Sequence, residues 1–374
     1  MLRNLAACLA LLLSGAALAA APQPPAVDAR AWLLLDVTSG QAIASRNPQE
    51  RIEPASLTKL MTAYIAFTAL RNRSLALGQT IPVSERAWHA VGSRMFIEPR
   101  KPVTVEELLH GLIIQSGNDA SIALAEAVAG SEPAFVERMN REAGRLGMAD
   151  TKFTNSSGLP GPGHYSTAGD LALITSALIR DYPEYYKLYS EREYRYNDIT
   201  QRNRNQLLWL DPNVDGVKTG HTESAGYCLI ASAQRGGRRL VSVVIGAGSE
   251  RLRARESQKL LNFGFQSYDA LRLYQKGDAI GKLQVWKGSE REAKAGVAAD
   301  LYVTVPKGTA DKLQAELVSQ QPLIAPVGAG QRVATLRVSH DGKLLAEYPV
   351  IALESVAAAG FLSRAWDSMR LWFR

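Results

Sequence analysis

The sequence predicts an α/β sandwich followed by a small all-β domain and a C-terminal amphipathic helix. Three observations predict it. Strand-like runs stand at both ends of residues 28–268, with helical periods filling the middle. After Tyr268 the helical periodicity fades and short alternating runs replace it. At the chain end, residues 354–374 sort their aromatic and apolar side chains onto one face of a 3.6-residue period. The bulk numbers agree: 374 residues, 46% hydrophobic and 21% charged, exclude disordered, collagenous and disulfide-scaffold chains. A net charge of +7, from 43 basic and 36 acidic residues, is too small an excess at this length for a nucleic-acid footprint.

The first element is an export signal. Arg3 supplies a basic start, residues 5–13 an apolar core, and Ala17-Leu18-Ala19 a small-x-small cleavage site, so residues 1–19 are expected to be removed. The apolar run is too short to span a bilayer as a helix. Leu5-Ala6-Ala7-Cys8 superficially resembles a lipoprotein processing box, but most of the apolar core follows the cysteine rather than preceding it. Removal leaves Cys228 as the remaining cysteine. No intrachain disulfide is then available, and a core of about 355 residues must hold the exported chain by itself. Cys228 lies in the apolar run 227–231, the setting of a buried structural thiol.

In the main domain, residues 31–37 and 41–45 flank Thr38-Ser39-Gly40 and read as a hairpin. Pro54 precedes a helical stretch over 56–70, at the place where proline favours a helix start. Residues 105–114 and 120–129 read as two more helices joined by a turn over 115–119, and 133–146 and 167–179 as a further two. Three glycines and two prolines make 154–166 a loop. Residues 217–233 and 238–247 are β-rich and joined by Gly236-Gly237, and 253–265 is helical. The early hairpin and the late strands combine into one antiparallel sheet. Residues 275–353 form the small β domain, with Asp341-Gly342 as a hairpin turn and no Cys/His cluster of the metal-binding kind. In the terminal segment Phe361, Leu362, Ala365, Trp366, Met369, Trp372 and Phe373 share one face, with Ser363, Arg364, Asp367, Arg370 and Arg374 opposite. Tryptophans against arginines suit a helix lying in a membrane interface; the alternative is a helix packed on its own domain.

Three short patterns carry chemistry. Ser56-Leu57-Thr58-Lys59 sets a hydroxyl and an amine on one face of a helix start. The serine needs a base to take its proton, and the lysine serves only if burial or a neighbouring cation lowers its pKa. The plain alternative is a capping serine before an exposed lysine. Ser116-Gly117-Asn118 sits in the turn between two helices, where a capping pattern is also common. Lys218-Thr219-Gly220 begins a strand and offers an ammonium, a hydroxyl and close backbone approach to a carboxylate lying along the sheet edge. Taken alone, that tripeptide is equally a solvated strand end.

In this order, the three motifs match the S-x-x-K, S-x-N and K-T-G set of penicillin-binding proteins and serine β-lactamases. The chain resembles the low-molecular-mass penicillin-binding proteins, the serine D-alanyl-D-alanine carboxypeptidases, in their membrane-attached branch. The likeness extends through residues 53–62, 92–96, 155–159, 164–172 and 214–226, and to the order of domains. It implies a sandwich of the serine β-lactamase/DD-peptidase type, with helices on both faces of the sheet. It also implies roles, on a peptidoglycan stem peptide, with no cofactor or metal. Ser56 would attack the carbonyl between the last two D-alanines, with Lys59 as general base. Ser116 would relay a proton to the leaving amine, in a field set by Lys218. Asn118 would hold Lys59 and the substrate amide, and Thr219, beside Gly220, the terminal carboxylate. The backbone N–H groups of Ser56 and His221 would form the oxyanion hole, and Arg204 and Arg253 match family arginines. His164 reads as a loop-structuring residue. Gly117 stands where class A β-lactamases have aspartate, and no glutamate occurs between Glu142 and Glu184. The implied enzyme is therefore a carboxypeptidase acylated and inhibited by β-lactams. The alternatives are, in turn, an endopeptidase on peptidoglycan crosslinks, a non-catalytic β-lactam or peptide sensor, and a β-lactamase. The expected location is the periplasmic face of the inner membrane, attached through the C-terminal helix.

Overall fold

The computed structural model describes residues 22–319 and 321–372. The expected export signal, Phe373 and Arg374 lie outside the described residues. The first domain is built on a five-stranded sheet of β1 (Ala31–Asp36), β2 (Gln41–Arg46), β3 (Val214–Thr222), β4 (Gly226–Arg235) and β5 (Arg238–Ala247). The order is β2-β1-β5-β4-β3, antiparallel throughout, so the first strand is paired with the last and the two ends of the domain close on each other.

Strand alternation divides the core in two, because successive side chains point to opposite faces. Leu33, Cys228, Ile230, Val241 and Val243 face one apolar cluster, while Trp32, Leu34, Leu229, Ala231 and Val244 face another. The larger cluster holds α1 (Lys59–Arg71), α2 (Glu85–Trp88), α3 (Val105–His110), α4 (Asn118–Ala129), α5 (Glu132–Arg145) and α6 (Ala168–Asp181). The smaller is covered by α7 (Glu250–Ser267). Several helix starts carry their caps: Thr104 and Glu107 make a reciprocal capping box, and Ser131, Thr167 and Ser249 each accept a backbone N–H from the first turn.

The structure corrects three boundaries. Residues 217–233 are not one run: Glu223-Ser224-Ala225 turn the chain, and β3 pairs with β4. Glu223 and Ser224 are exposed polar turn residues and Gly226, at φ +65°, completes the break. This makes β3 an edge strand. The helical stretch expected from Ser56 starts as a 3-10 turn, Ala55–Thr58. Finally, α3 stops at His110 and gives way to a π turn, Gly111–Gln115, so that α4 begins at Asn118, inside the expected turn.

The second domain is all β. Its strands are β6 (Tyr268–Tyr274), β7 (Ala279–Trp286), β8 (Glu292–Gly296), β9 (Leu301–Pro306), β10 (Leu313–Ser319), β11 (Leu323–Ile324), β12 (Arg332–His340) and β13 (Lys343–Ala352). β6 pairs with β9, and the others form a six-stranded sheet in the order β10-β12-β13-β8-β7-β11. β6 lies between the two expected domain ranges. Leu283, Val285, Val303, Leu336, Val338 and Val350 fill the core. A polar joint links the domains: Thr304 donates to the buried Asp36 carboxylate at 2.8 Å, and Arg238 donates to the same oxygen at 2.7 Å.

The terminal helix α8 (Phe361–Trp372) starts later than the segment read from sequence. Residues 354–360 form no helix and bridge to the β domain through Val356 and Ala358 instead. Phe361, Leu362, Trp366 and Trp372 are exposed, and the Asp367 carboxylate accepts the Lys287 N–H at 2.7 Å. Among the described residues, no helix is long and apolar enough to cross a membrane.

Candidate active site

The 3-10 turn places Ser56 half-buried at the mouth of the helical layer and Lys59 one turn deeper, 1% exposed. The Lys59 amine lies 3.1 Å from Ser56 Oγ. It donates to Asn118 Oδ1 at 2.7 Å and to the Ser157 carbonyl at 2.6 Å. Burial pulls Lys59 down to about 7; Arg204 adds to the effect and Asp119 opposes it. That is the condition the sequence set for the lysine to serve as a base.

The second motif arrives by an unusual backbone. The π turn ends at Ser116, which takes φ +64°, a left-handed value that only a minority of non-glycine residues adopt. π turns and such outliers recur at functional sites. Ser116 is 2% exposed, and its hydroxyl has no hydrogen-bond partner among the described residues. Asn118 donates from its side chain to Val91 O at 2.6 Å and from its backbone to Ser93 O at 2.7 Å. At Gly117 a Cβ would fall 2.6 Å from Asp119 Oδ1 and 3.2 Å from Met95 N. The Asp119 carboxylate needs that space, because it accepts the N–H groups of Met95 and Phe96 at 3.0 and 2.8 Å and so holds the loop lining the site.

The edge strand β3 brings the third motif. Gly220 packs against the Ser56 turn: a Cβ there would lie 3.3 Å from both Ala55 Cβ and Pro54 O. Lys218 is 3% exposed and donates to Thr219 O at 3.3 Å. Burial, and then the charges of Lys59, Arg204 and Arg253, push its ammonium well below the ordinary lysine value. Arg253, on α7, is buried and donates to Gly220 O at 3.3 Å. Arg204 is exposed between two pinned asparagines: Asn203 donates to Glu191 O at 2.9 Å and Asn205 to Gly216 O at 2.8 Å. Four basic side chains thus bear on one cleft. His221 is exposed, its ring 4.2 Å from that of Tyr227. Away from this cluster, burial holds the Cys228 thiol up at about 11, the state of a structural cysteine.

His164 sits behind the Ser56–Lys59 turn. Its Nε2 is 2.8 Å from Thr58 Oγ1, and its Nδ1 accepts the Thr154 N–H at 3.0 Å. Burial lowers it to about 4, with Glu53 opposing, so near neutrality it is an uncharged brace for the loop. Asp119, Glu132 and the Ser157 carbonyl escaped the sequence reading. Asp119 directly follows the motif and could have been found there. A backbone carbonyl leaves no signature in the sequence.

The D-alanyl-D-alanine carboxypeptidase family matches residues 18–249. The chain belongs to that family. The C-terminal domain of penicillin-binding protein 5 matches residues 268–358. D-alanyl-D-alanine carboxypeptidase DacC of Escherichia coli K12 is 43% identical over 360 residues, covering 94% of this chain and 90% of the relative. The solved penicillin-binding protein 5 of Haemophilus influenzae aligns at TM-score 0.86 and 38% identity, over 90% of this chain and 99% of that one. Penicillin-binding protein D2 of Listeria monocytogenes, solved in its cefotaxime-bound form, aligns at TM-score 0.61 and 32% identity, over 65% of this chain and all of its own. The family likeness therefore spans both folded domains, and the Listeria structure relates to the smaller share.

Proposed function

We propose that this protein is a serine D-alanyl-D-alanine carboxypeptidase that removes the terminal D-alanine from peptidoglycan pentapeptide stems. The observation that carries the reading is the buried Lys59 amine, held near neutrality in pKa and 3.1 Å from Ser56 Oγ. Ser56 Oγ bonds to the carbonyl carbon between the last two D-alanines, and its proton passes to neutral Lys59. The tetrahedral oxyanion lies against the Ser56 and His221 N–H groups. As the C–N bond breaks, the Ser116 hydroxyl gives its proton to the departing amine and takes in exchange the one that Lys59 removed from Ser56, so that Lys59 returns to its neutral form; that relay suits a buried hydroxyl with no partner among the described residues. Thr219 takes the terminal carboxylate, in the field of Lys218, Arg204 and Arg253. Water then cleaves the acyl-enzyme and restores Ser56, with D-alanine and the shortened stem as products. Asn118 keeps Lys59 and the scissile amide aligned. β-Lactams acylate the same serine, and deacylation is slow because no glutamate occurs between Glu142 and Glu184.

The chain acts outside the cytoplasmic membrane after export, on the periplasmic face. Helix α8 rests on the lipid surface through Phe361, Leu362, Trp366 and Trp372, whose exposed rings and chains fit an interfacial site. Deleting residues 361–374 should release the mature protein from phospholipid vesicles without loss of activity in solution; a truncated form that stays bound contradicts the anchor.

The purified protein should release one D-alanine per pentapeptide stem. Release confined to crosslinked muropeptides would make it an endopeptidase. Stoichiometric binding without turnover would make it a sensor. Rapid hydrolysis of a chromogenic cephalosporin would make it a β-lactamase.

A further inference from the structure

Glu132 has no part in the three motifs, yet it is 5% exposed, and buried carboxylates are costly unless fully engaged. It occupies the first turn of α5, where the helix dipole favours an acid. One of its oxygens accepts both the Ser156 N–H at 2.9 Å and the Ser156 hydroxyl at 2.7 Å. The other pairs with Arg86 on α2. Ser156 is fully buried, and its carbonyl accepts two further hydroxyls. These are Thr62 on α1 at 2.6 Å and Ser121 on α4 at 2.8 Å. Thr62 stands one turn beyond Lys59, and Ser121 one turn beyond Asn118. The next carbonyl, that of Ser157, is the one that receives the Lys59 amine at 2.6 Å. A single residue, Ser156, therefore ties together the helices bearing Lys59 and Asn118 through its carbonyl, and Glu132 fixes it from a third helix through its N–H and hydroxyl.

We propose that Glu132 is a positioning residue for catalysis: it clamps the Ser156–Ser157 segment so that the Ser157 carbonyl aims the Lys59 amine at Ser56. The clamp rests on the reading of Lys59 as the base at Ser56. It works by acceptor geometry, so a glutamine of the same length substitutes for it, while loss or shortening of the side chain frees the carbonyl. An acceptor on the Lys59 amine favours the ammonium form; withdrawing it lowers the pH at which Lys59 becomes a free base. The charged groups facing Lys59 are Lys218 on β3, Arg204 ahead of that strand and Asp119 on α4; Arg86 faces Glu132. Glu132→Gln removes the same charge and leaves Arg86 without its ion pair while keeping the acceptor, so a shift in Glu132→Ala that Glu132→Gln lacks reports the clamp.

The test measures D-alanine release and benzylpenicillin acylation across pH for wild type, Glu132→Ala, Glu132→Gln and Glu132→Asp, with a melting curve for each. Displacing a base by even 1 Å can cost up to about a hundredfold, so kcat in Glu132→Ala should fall at least about tenfold with KM little changed. Its acid limb should move down by roughly half a pH unit. Glu132→Gln should stay within about threefold of wild type at an unmoved limb. If Glu132→Ala does not fold, Glu132→Asp, which draws the carboxylate back by one methylene, must show the same shift. A folded Ala or Asp variant with unchanged kcat and acid limb overturns the proposal. So does a Gln variant as impaired as Ala, since charge and not position would then be acting. If wild type itself is neither acylated nor active, the proposed function fails instead.

Discussion

The catalytic and β domains treat polar groups in opposite ways. Around the cleft, Lys59, Lys218 and Arg253 are all but fully buried, and Ala55, Phe96 and Ser116 take left-handed backbone angles. In the β domain, the buried polar side chains among the described residues are Thr304 and Thr309. Its left-handed non-glycine residues, Lys287 and Asp341, fall outside its strands. One region holds buried basic groups and strained backbone, which cost stability; the other buries few polar side chains and keeps its left-handed residues out of its strands. Departures from folding economy mark where chemistry is done.

The contrast should break most visibly at Lys59. Lys59→Ala removes the base, and D-alanine release should drop at least about a thousandfold; a stopped assay on a pentapeptide checks it, and a small loss would place the base elsewhere. Next comes the opposite experiment, in the ordinary region. Leu336→Ala in the β-domain core should cost about 2–5 kcal/mol of that domain's stability. Turnover by the folded protein should be unchanged, and denaturant unfolding beside a rate assay separates the two.

Smaller still is the electrostatic tuning of the cleft. Acylation needs neutral Lys59, so its rate should fall as pH drops through about 7. Arg204 helps to hold that value down, so Arg204→Gln should move the acid limb to higher pH and slow acylation at pH 6 by roughly three- to tenfold. A limb that moves down instead would assign Arg204 a different role. The smallest effect belongs to the exposed Arg337–Glu347 pair on the β sheet, where the partners lie 2.8 Å apart at about half exposure. Arg337→Ala should change stability by less than about 1 kcal/mol and activity not at all.

The same contrast governs what could be read from sequence. The β-rich runs, the helices and the three motifs are local patterns; the structure sets the Lys59 amine within hydrogen-bond reach of Ser56 and Asn118, with Lys218 near enough to feel its charge. The central sheet strands were legible as apolar runs, not by alternation, because each face is covered by its own apolar cluster. The break between β3 and β4 was not read, although polar Glu223-Ser224 and Gly226 mark it, because the β-rich stretch on either side invites one long strand. Nor was the π turn before Ser116, because nothing in Gly111-Leu112-Ile113-Ile114-Gln115 departs from a helical pattern. Glu132 lies 24 residues before its partner Ser156, and a contact of that span has no period to reveal it. The polar joint at Asp36 and Thr304 is longer still, joining residues 268 apart.

The central claim is that Ser56, with the buried Lys59 beside it, forms the acyl-enzyme. Mass spectrometry of the protein after brief benzylpenicillin treatment, with the adduct mapped to a peptide, tests it most directly. The account predicts one penicilloyl group on the peptide containing Ser56, and none on Ser56→Ala. An adduct on the peptide containing Ser116, or unreduced D-alanine release by Ser56→Ala, would contradict it.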